Sequence, residues 1–164
     1  MRRILVVFVT NKHYETETMR KTNFEITEFL PYLLNRAADN ASKGFQRLYK
    51  SKYGMLQTEW RVMFHLGRFE TMTAKQICER AGLHKTKVSR AVRALEVKRF
   101  ISREEIMEDR RNEKLQLTKQ GRRAYEDLAH EAEKFEQRLI ADLTQDEQTI
   151  LKKVLSKIIT DFGR

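Results

Sequence analysis

Two short amphipathic stretches separated by Ala81-Gly82-Leu83 constrain this chain more than any other feature in it. The first, Thr73 to Arg80, turns Ile77 and Cys78 inward. The second, Lys85 to Lys98, places Val88, Ala91, Val92 and Leu95 on one face, at the spacings of three and four that follow a helical turn. Lys87, Arg90 and Arg93 fall largely on the other face. Gly82 supplies the turn between them, because it reaches left-handed backbone angles at no steric cost. Two short helices joined this tightly, the second cationic on its free face, describe a helix-turn-helix.

The charge of the chain is concentrated around that pattern. Its 33 Lys+Arg against 23 Asp+Glu give a formal charge of +10. Residues 80–123 hold 14 Lys+Arg against 6 Asp+Glu, a net of +8, whereas residues 124–164 hold 6 against 9, a net of −3. A regional excess of this kind favours a polyanionic partner, with nucleic acid ahead of a membrane surface. The one early apolar run, Ile4 to Val9, has too few residues for a signal-peptide core or a membrane span, so a soluble, cytoplasmic chain without a membrane partner is expected. The single Cys78 cannot form an intramolecular disulfide, which fits a reducing compartment. His13, His65, His84 and His130 show no close ligand spacing, and neither a metal nor a cofactor is expected. The sequence contains no GxGxxG, P-loop, HExxH or GxSxG pattern, and an enzyme is not expected.

Elsewhere helical periodicity dominates. The spacing predicts a helix from Thr27 to Tyr53 with Pro31 in its first turn and Gly54 as its stop. A second helix opens at Thr58 as N-cap and runs to about Arg68. Ser102 to Ile106 and Lys114 to Thr118 have strand character and flank Met107 to Glu113, a hairpin with a charged tip. Thr118 then caps a long helix striped by Leu128, Ala132, Phe135, Leu139 and Leu143, and Thr144 to Glu147 has capping-box spacing before a last helix to Phe162. The expected fold is mainly α with a small β-hairpin wing, a winged helix-turn-helix with long terminal dimerisation helices. Its divisions are a leader at 1–26 of unreadable role, a first dimerising and linking helix at 27–56, a DNA-binding lobe at 57–119 and C-terminal dimerisation helices at 120–164.

Read in order, Glu59-Trp60-Arg61-Val62-Met63, Val88-Ser89-Arg90, Leu95-Glu96, Ile101-x-Arg103, Asp109-Arg110-Arg111 and Leu117-Thr118-x-x-Gly121 resemble the MarR family of bacterial transcriptional regulators. The resemblance spans roughly Leu30 to Phe162. It implies a homodimer built from the terminal helices and binding to palindromic operators, relieved by a small ligand or by oxidation. Two features depart from the family pattern: the leader Met1 to Asn23, and Val97-Lys98-Arg99-Phe100, where such proteins often carry glycine before the hydrophobic pair.

The helix from Lys85 has the diameter of the major groove, where Lys and Arg donate to guanine edges. Lys85, Thr86, Lys87, Ser89, Arg90 and Arg93 are the candidate contacts, with Ser89 assigned to a phosphate. In the wing, Arg110 and Arg111 are candidates for DNA, Arg111 for a narrow minor groove, and Asp109 for orienting an arginine. The bland reading of both sets is a solvated charged surface. By the resemblance, an effector between the dimerisation helices and the DNA-binding lobe would involve Tyr32, Arg36, Phe64, His65 and Arg68, and their aromatic and cationic mixture suits an organic acid or aromatic ligand. The bland reading leaves Arg68 facing solvent. Alternatives that use the same surface are a weakly specific architectural DNA-binding protein and an oxidant-sensing regulator acting through Cys78, whose plain reading is a small buried hydrophobe.

Overall fold

The structure is a computed structural model that describes residues 23–105 and 113–162. Six α-helices and three short strands follow in the order α1 (Leu30–Tyr53), α2 (Gln57–Phe69), β1 (Thr71–Thr73), α3 (Ala74–Ala81), α4 (Lys85–Val97), β2 (Ile101–Glu105), β3 (Glu113–Leu117), α5 (Lys119–Leu139) and α6 (Gln145–Phe162). The strands form one antiparallel sheet ordered β1-β3-β2. Met72 pairs with Leu115, and Arg103 faces Leu115 from the other side.

The expected boundaries hold where a cap or turn dictates them and move where backbone chemistry overrides the pattern. Helix α1 begins at Leu30 rather than Thr27: Ile26–Glu28 forms a 3-10 turn, and Pro31 has no N–H to give to the Thr27 carbonyl. Helix α2 begins at Gln57, with Leu56 in the cap position and Thr58 already inside the first turn. Met55, fully buried, and Leu56, largely exposed, are the only residues between the Gly54 turn and the helix, so the helix starts one residue before Thr58. Helix α5 stops at Leu139, so Leu143 lies in the following turn instead of on the stripe. The Thr144 capping box is present, with the Glu147 N–H donating to Thr144 Oγ and the Thr144 N–H donating to Glu147 Oε2.

One core joins these elements. Val62, Met63 and Leu66 of α2 meet Ile77 of α3 and Val88, Val92 and Leu95 of α4, closed on the far side by Leu115 of β3 and Leu128 of α5. Tyr49, Phe45 and Trp60 form an aromatic layer between α1 and α2, with Phe135 of α5 against Phe45 at 5.5 Å. Lys52 and Tyr53 both donate to Asp127 at 2.6–2.8 Å and tie the end of α1 to α5. Burial and the adjacent Asp127 carboxylate push the Tyr53 hydroxyl up to about 12.

Three helix ends share one geometry. After α1, α3 and α4 the N–H two residues beyond the last turn donates back to a carbonyl five or six residues earlier: Met55 to Tyr49, Leu83 to Cys78 and Phe100 to Leu95. Each needs a left-handed residue just before that donor. Gly54 and Gly82 fill two of these places, and Arg99, with φ of 59°, fills the third. Thr118 Oγ donates to the Arg99 carbonyl at 2.7 Å, which holds the backbone in that conformation. A side chain there costs about 1 kcal/mol or more. Arg99→Gly is therefore expected to raise the free energy of unfolding by about 1 kcal/mol with an unchanged urea m-value. An unaltered urea midpoint would show that Arg99 is not strained.

Candidate nucleic-acid interface

Helix α3 starts from Thr73, whose side chain accepts from the Gln76 N–H while the Gln76 side chain accepts from the Thr73 N–H. It ends at Gly82, at φ 60° and ψ 39°, and two residues later His84 caps α4, its Nδ1 accepting from the Thr86 N–H at 3.4 Å. Burial of Val88, Ala91, Val92 and Leu95 then decides the orientation of α4. Lys85, Thr86, Lys87, Ser89, Arg90 and Arg93 are all exposed along its free side. Among the described residues none of Lys85, Lys87, Arg90 and Arg93 has a carboxylate partner. The structure thus gathers the six candidate residues of α4 on one open cationic face. Asp109, Arg110 and Arg111 lie outside the described residues.

Three braces that the sequence reading did not single out set the helix and the hairpin relative to the body. Arg103 of β2 donates from Nε and Nη2 to the two carboxylate oxygens of Glu96 on α4, at 2.5 and 2.6 Å, and from Nη1 to Glu113 of β3 at 2.5 Å. These two carboxylates hold the Arg103 guanidinium above its ordinary pKa. A forked guanidinium shared by two carboxylates fixes direction as well as distance, so the base of the hairpin turns with α4. Glu59, only 4% exposed, lies with Oε2 3.0 Å from Lys98 Nζ at the end of α4. Arg61 Nη2 donates to the Ala81 carbonyl at 2.6 Å, next to the Gly82 turn. Arg61, Glu96 and Arg103 all stand in the family words of the sequence, but their partners lie across helix ends where periodicity carries no information.

The strands return to the body at Thr118. Its N–H donates to the Phe100 carbonyl, its Oγ donates to the Arg99 carbonyl, and the same Oγ accepts from the Gly121 N–H. A Cβ on Gly121 would stand 1.8 Å from the Phe100 carbonyl oxygen, so only glycine lets α5 close on the end of α4.

A cavity of about 610 Å³ opens between α1, α2 and α5, walled by Phe45, Trp60, Phe64, His65 and Phe135, with Arg61 at its edge. Of the candidate effector residues the structure brings Phe64 and His65 here. Tyr32 and Arg36 bond to each other nearer the start of α1, along a separate shallow groove, and Arg68 lies against the Phe69 ring at 5.8 Å. The α1 face turned to the cavity is the one bearing Ala38, Ala41 and Phe45, because Gly44 admits the Phe135 ring beside it. Phe64, 42% exposed, is cavity wall rather than core. Cys78 is half-buried and lines a second cavity of about 560 Å³ between α3, α4 and the sheet, so it is less enclosed than its inward position suggests. Among the described residues no three His, Cys, Asp or Glu come together as a metal site, and no helix is long and apolar enough to cross a membrane.

His65 carries the pH dependence of this region. Burial, then the positive charges of Arg61 and Arg80, hold its imidazole below the ordinary 6.5, and its Nδ1 has no hydrogen-bond partner among the described residues. The unfolded chain takes up a proton near the ordinary value that the folded chain refuses. The His65 contribution to stability is therefore expected to be retained above about pH 6.5 and to be lost as the pH drops below it. His65→Gln is expected to flatten that decline between about pH 7 and pH 5.5, read as urea midpoints at each pH. An identical slope in both proteins would count against His65 as its source.

A helix-turn-helix whose second helix presents a cationic face, followed by a hairpin that returns against it, is the winged helix-turn-helix of DNA-binding regulators. Comparisons with known proteins give the same class. The MarR family model matches residues 53–112. An uncharacterised HTH-type transcriptional regulator of Bacillus subtilis (strain 168), YwaE, is 29% identical over 88% of this chain and 88% of its own. A MarR/EmrR family transcriptional regulator from Acinetobacter sp. ADP1 superposes with a TM-score of 0.77 at 27% identity, covering 85% of this chain and 99% of that one. A mutant MarR from E. coli, solved in complex with operator DNA, shares the fold with a TM-score of 0.72 at 19% identity, covering 79% of this chain and 93% of that one. The chain is thus similar to MarR family transcriptional regulators, through the family model over residues 53–112 and through these relatives over most of its length.

Proposed function

We propose that the protein is a cytoplasmic, homodimeric repressor that reads a palindromic operator with α4 and is released from it by a small organic-acid or aromatic ligand. The observation that carries this reading is the open face of α4, where Lys85, Thr86, Lys87, Ser89, Arg90 and Arg93 stand exposed. Cations without carboxylate partners among the described residues are available to phosphates and guanine edges. Arg110 and Arg111 are assigned to the DNA flanking the major-groove contact, with Asp109 orienting them. One recognition helix reads only a few base pairs, so two copies on half-sites one helical turn apart supply the needed length.

A second copy is also what the last helix calls for. Ile150, Val154 and Ile159 of α6 are 60%, 46% and 73% exposed, and Leu30 and Leu33 at the start of α1 are 55% and 45% exposed. Large apolar side chains left in water on these two helices favour an isologous partner, which buries the same surface on both subunits. The cavity between α1, α2 and α5, aromatic on most sides and of ordinary ligand size, is the proposed effector site.

Selection from a pool of randomised duplexes tests the reading. It is expected to enrich an inverted repeat with half-sites about 10 base pairs apart, bound by a dimer and silencing transcription from a promoter that carries it. An enriched pool without repeat symmetry, displaced equally well by scrambled duplex, would replace it with the weakly specific architectural role.

A further inference from the structure

Arg61 belongs to two sites at once. It lines the cavity between α1, α2 and α5, and among the described residues on that wall it is the only cation. Its guanidinium also reaches 2.6 Å to the carbonyl of Ala81, the last residue of α3. Helix-end carbonyls have no partner within their own helix, so this donor is a substantial part of what holds the end of α3 in place. Only Gly82, Leu83 and His84 separate that carbonyl from the first residue of α4.

We infer that Arg61 is the coupling residue of the effector site: an anionic occupant of the cavity draws its guanidinium from the Ala81 carbonyl and loosens the turn that sets the recognition helix. The inference rests on the cavity being the effector site proposed above. A carboxylate is the stronger partner, since its two oxygens match the guanidinium fork with two parallel hydrogen bonds and it carries the opposite charge, whereas a peptide carbonyl offers a single neutral oxygen. The other cation near this wall is committed elsewhere, because Arg80 lies over the face of Phe69 at 4.3 Å. His65, held neutral by burial and by these two arginines, adds no competing charge. The remaining walls are the rings of Phe45, Trp60, Phe64 and Phe135, which suit an aromatic or alicyclic body behind the anionic head.

Trp60 is the only tryptophan of the chain and stands in the cavity wall, so its fluorescence reports occupancy directly. Benzoate serves as probe, with benzamide as its neutral counterpart, and amide hydrogen exchange at residues 82–84 reads the turn. In the wild-type protein benzoate is expected to quench Trp60 saturably and to speed exchange at these amides about tenfold, the factor for losing one charge-assisted hydrogen bond, while benzamide does neither. In Arg61→Gln the same amides are expected to exchange fast without ligand and to show no response to benzoate. Arg61→Lys retains the cation but not the fork; it is expected to bind benzoate and to show intermediate protection, and it serves if the glutamine variant does not fold. Saturable quenching with unchanged exchange overturns the coupling and leaves the cavity as an effector site. Wild-type protection in both Arg61 variants overturns it equally. No saturable quenching by benzoate, or equal quenching by benzamide, overturns the cavity as an anion site and the coupling with it.

Discussion

Gly121→Ala is expected to cost about 3 kcal/mol or more of folding stability, because among the described glycines it alone would drive a Cβ into backbone atoms. The added Cβ would lie 1.8 Å from the Phe100 carbonyl oxygen and 2.8 Å from its carbon, and both are backbone atoms with no rotamer to escape into. Phe100 cannot retreat, because its N–H is bound to the Leu95 carbonyl and its side chain is buried. The start of α5 cannot retreat without breaking the Thr118 bonds to the Arg99 and Phe100 carbonyls. Relief requires α5 to slide off the end of α4, exposing its own buried Ala124 and Leu128. Urea denaturation followed by circular dichroism measures the loss, and a midpoint matching wild type would mean that the junction yields far more easily than its hydrogen bonds imply.

Gly67 provides the contrast that identifies which approach matters. A Cβ there would meet the ring of Tyr125 at 2.3 Å, closer than ordinary van der Waals separation, yet a half-exposed tyrosine side chain can swing aside where a carbonyl cannot. Both glycines look alike in the sequence. The word Leu117-Thr118-x-x-Gly121 marks one of them through its threonine, which is the cap that brings the glycine against the preceding helix end.

This contrast shows where the chain is legible and where it is not. Helices α4, α5 and α6 follow from periodicity and from caps, because an apolar stripe and a side-chain oxygen at the right offset are local signals. Strand β1 is not legible: Thr71-Met72-Thr73 is too short to show a period, and it exists because Met72 packs under the sheet opposite Leu115. The cationic face of α4 is readable because its apolar opposite is. The cavity is not, since it depends on which side of α1 meets α5. Tyr32 and Arg36 line a separate groove nearer the start of α1, whereas Arg61 reaches the cavity from a word whose visible content is the helix-core pattern around Trp60. The hairpin brace at Arg103 joins Glu96 and Glu113, seven and ten residues away across a helix end and a strand pair, and no local rule links them.

Arg90→Ala is expected to weaken binding to the selected operator by about 1 to 3 kcal/mol, roughly fivefold to more than a hundredfold, while leaving stability within about 0.5 kcal/mol of wild type. The two effects separate because Arg90 is exposed and, among the described residues, holds no carboxylate, so its removal takes nothing from the fold. Its neighbours behind it, Ala91 and Val92, are buried and keep α4 seated. The salt dependence then distinguishes the two roles open to it. If Arg90 holds a phosphate, its removal lowers the slope of log affinity against log salt by about 1 and spares sequence preference. If it reads a guanine, its removal relaxes preference at one position of each half-site and changes the slope less. Arg93, one turn further along the same face, is expected to show the smaller loss, because the N-terminal half of a recognition helix reaches deepest into the groove. Unchanged operator affinity in both Arg90→Ala and Arg93→Ala would remove α4 from the DNA and with it the proposed mode of reading.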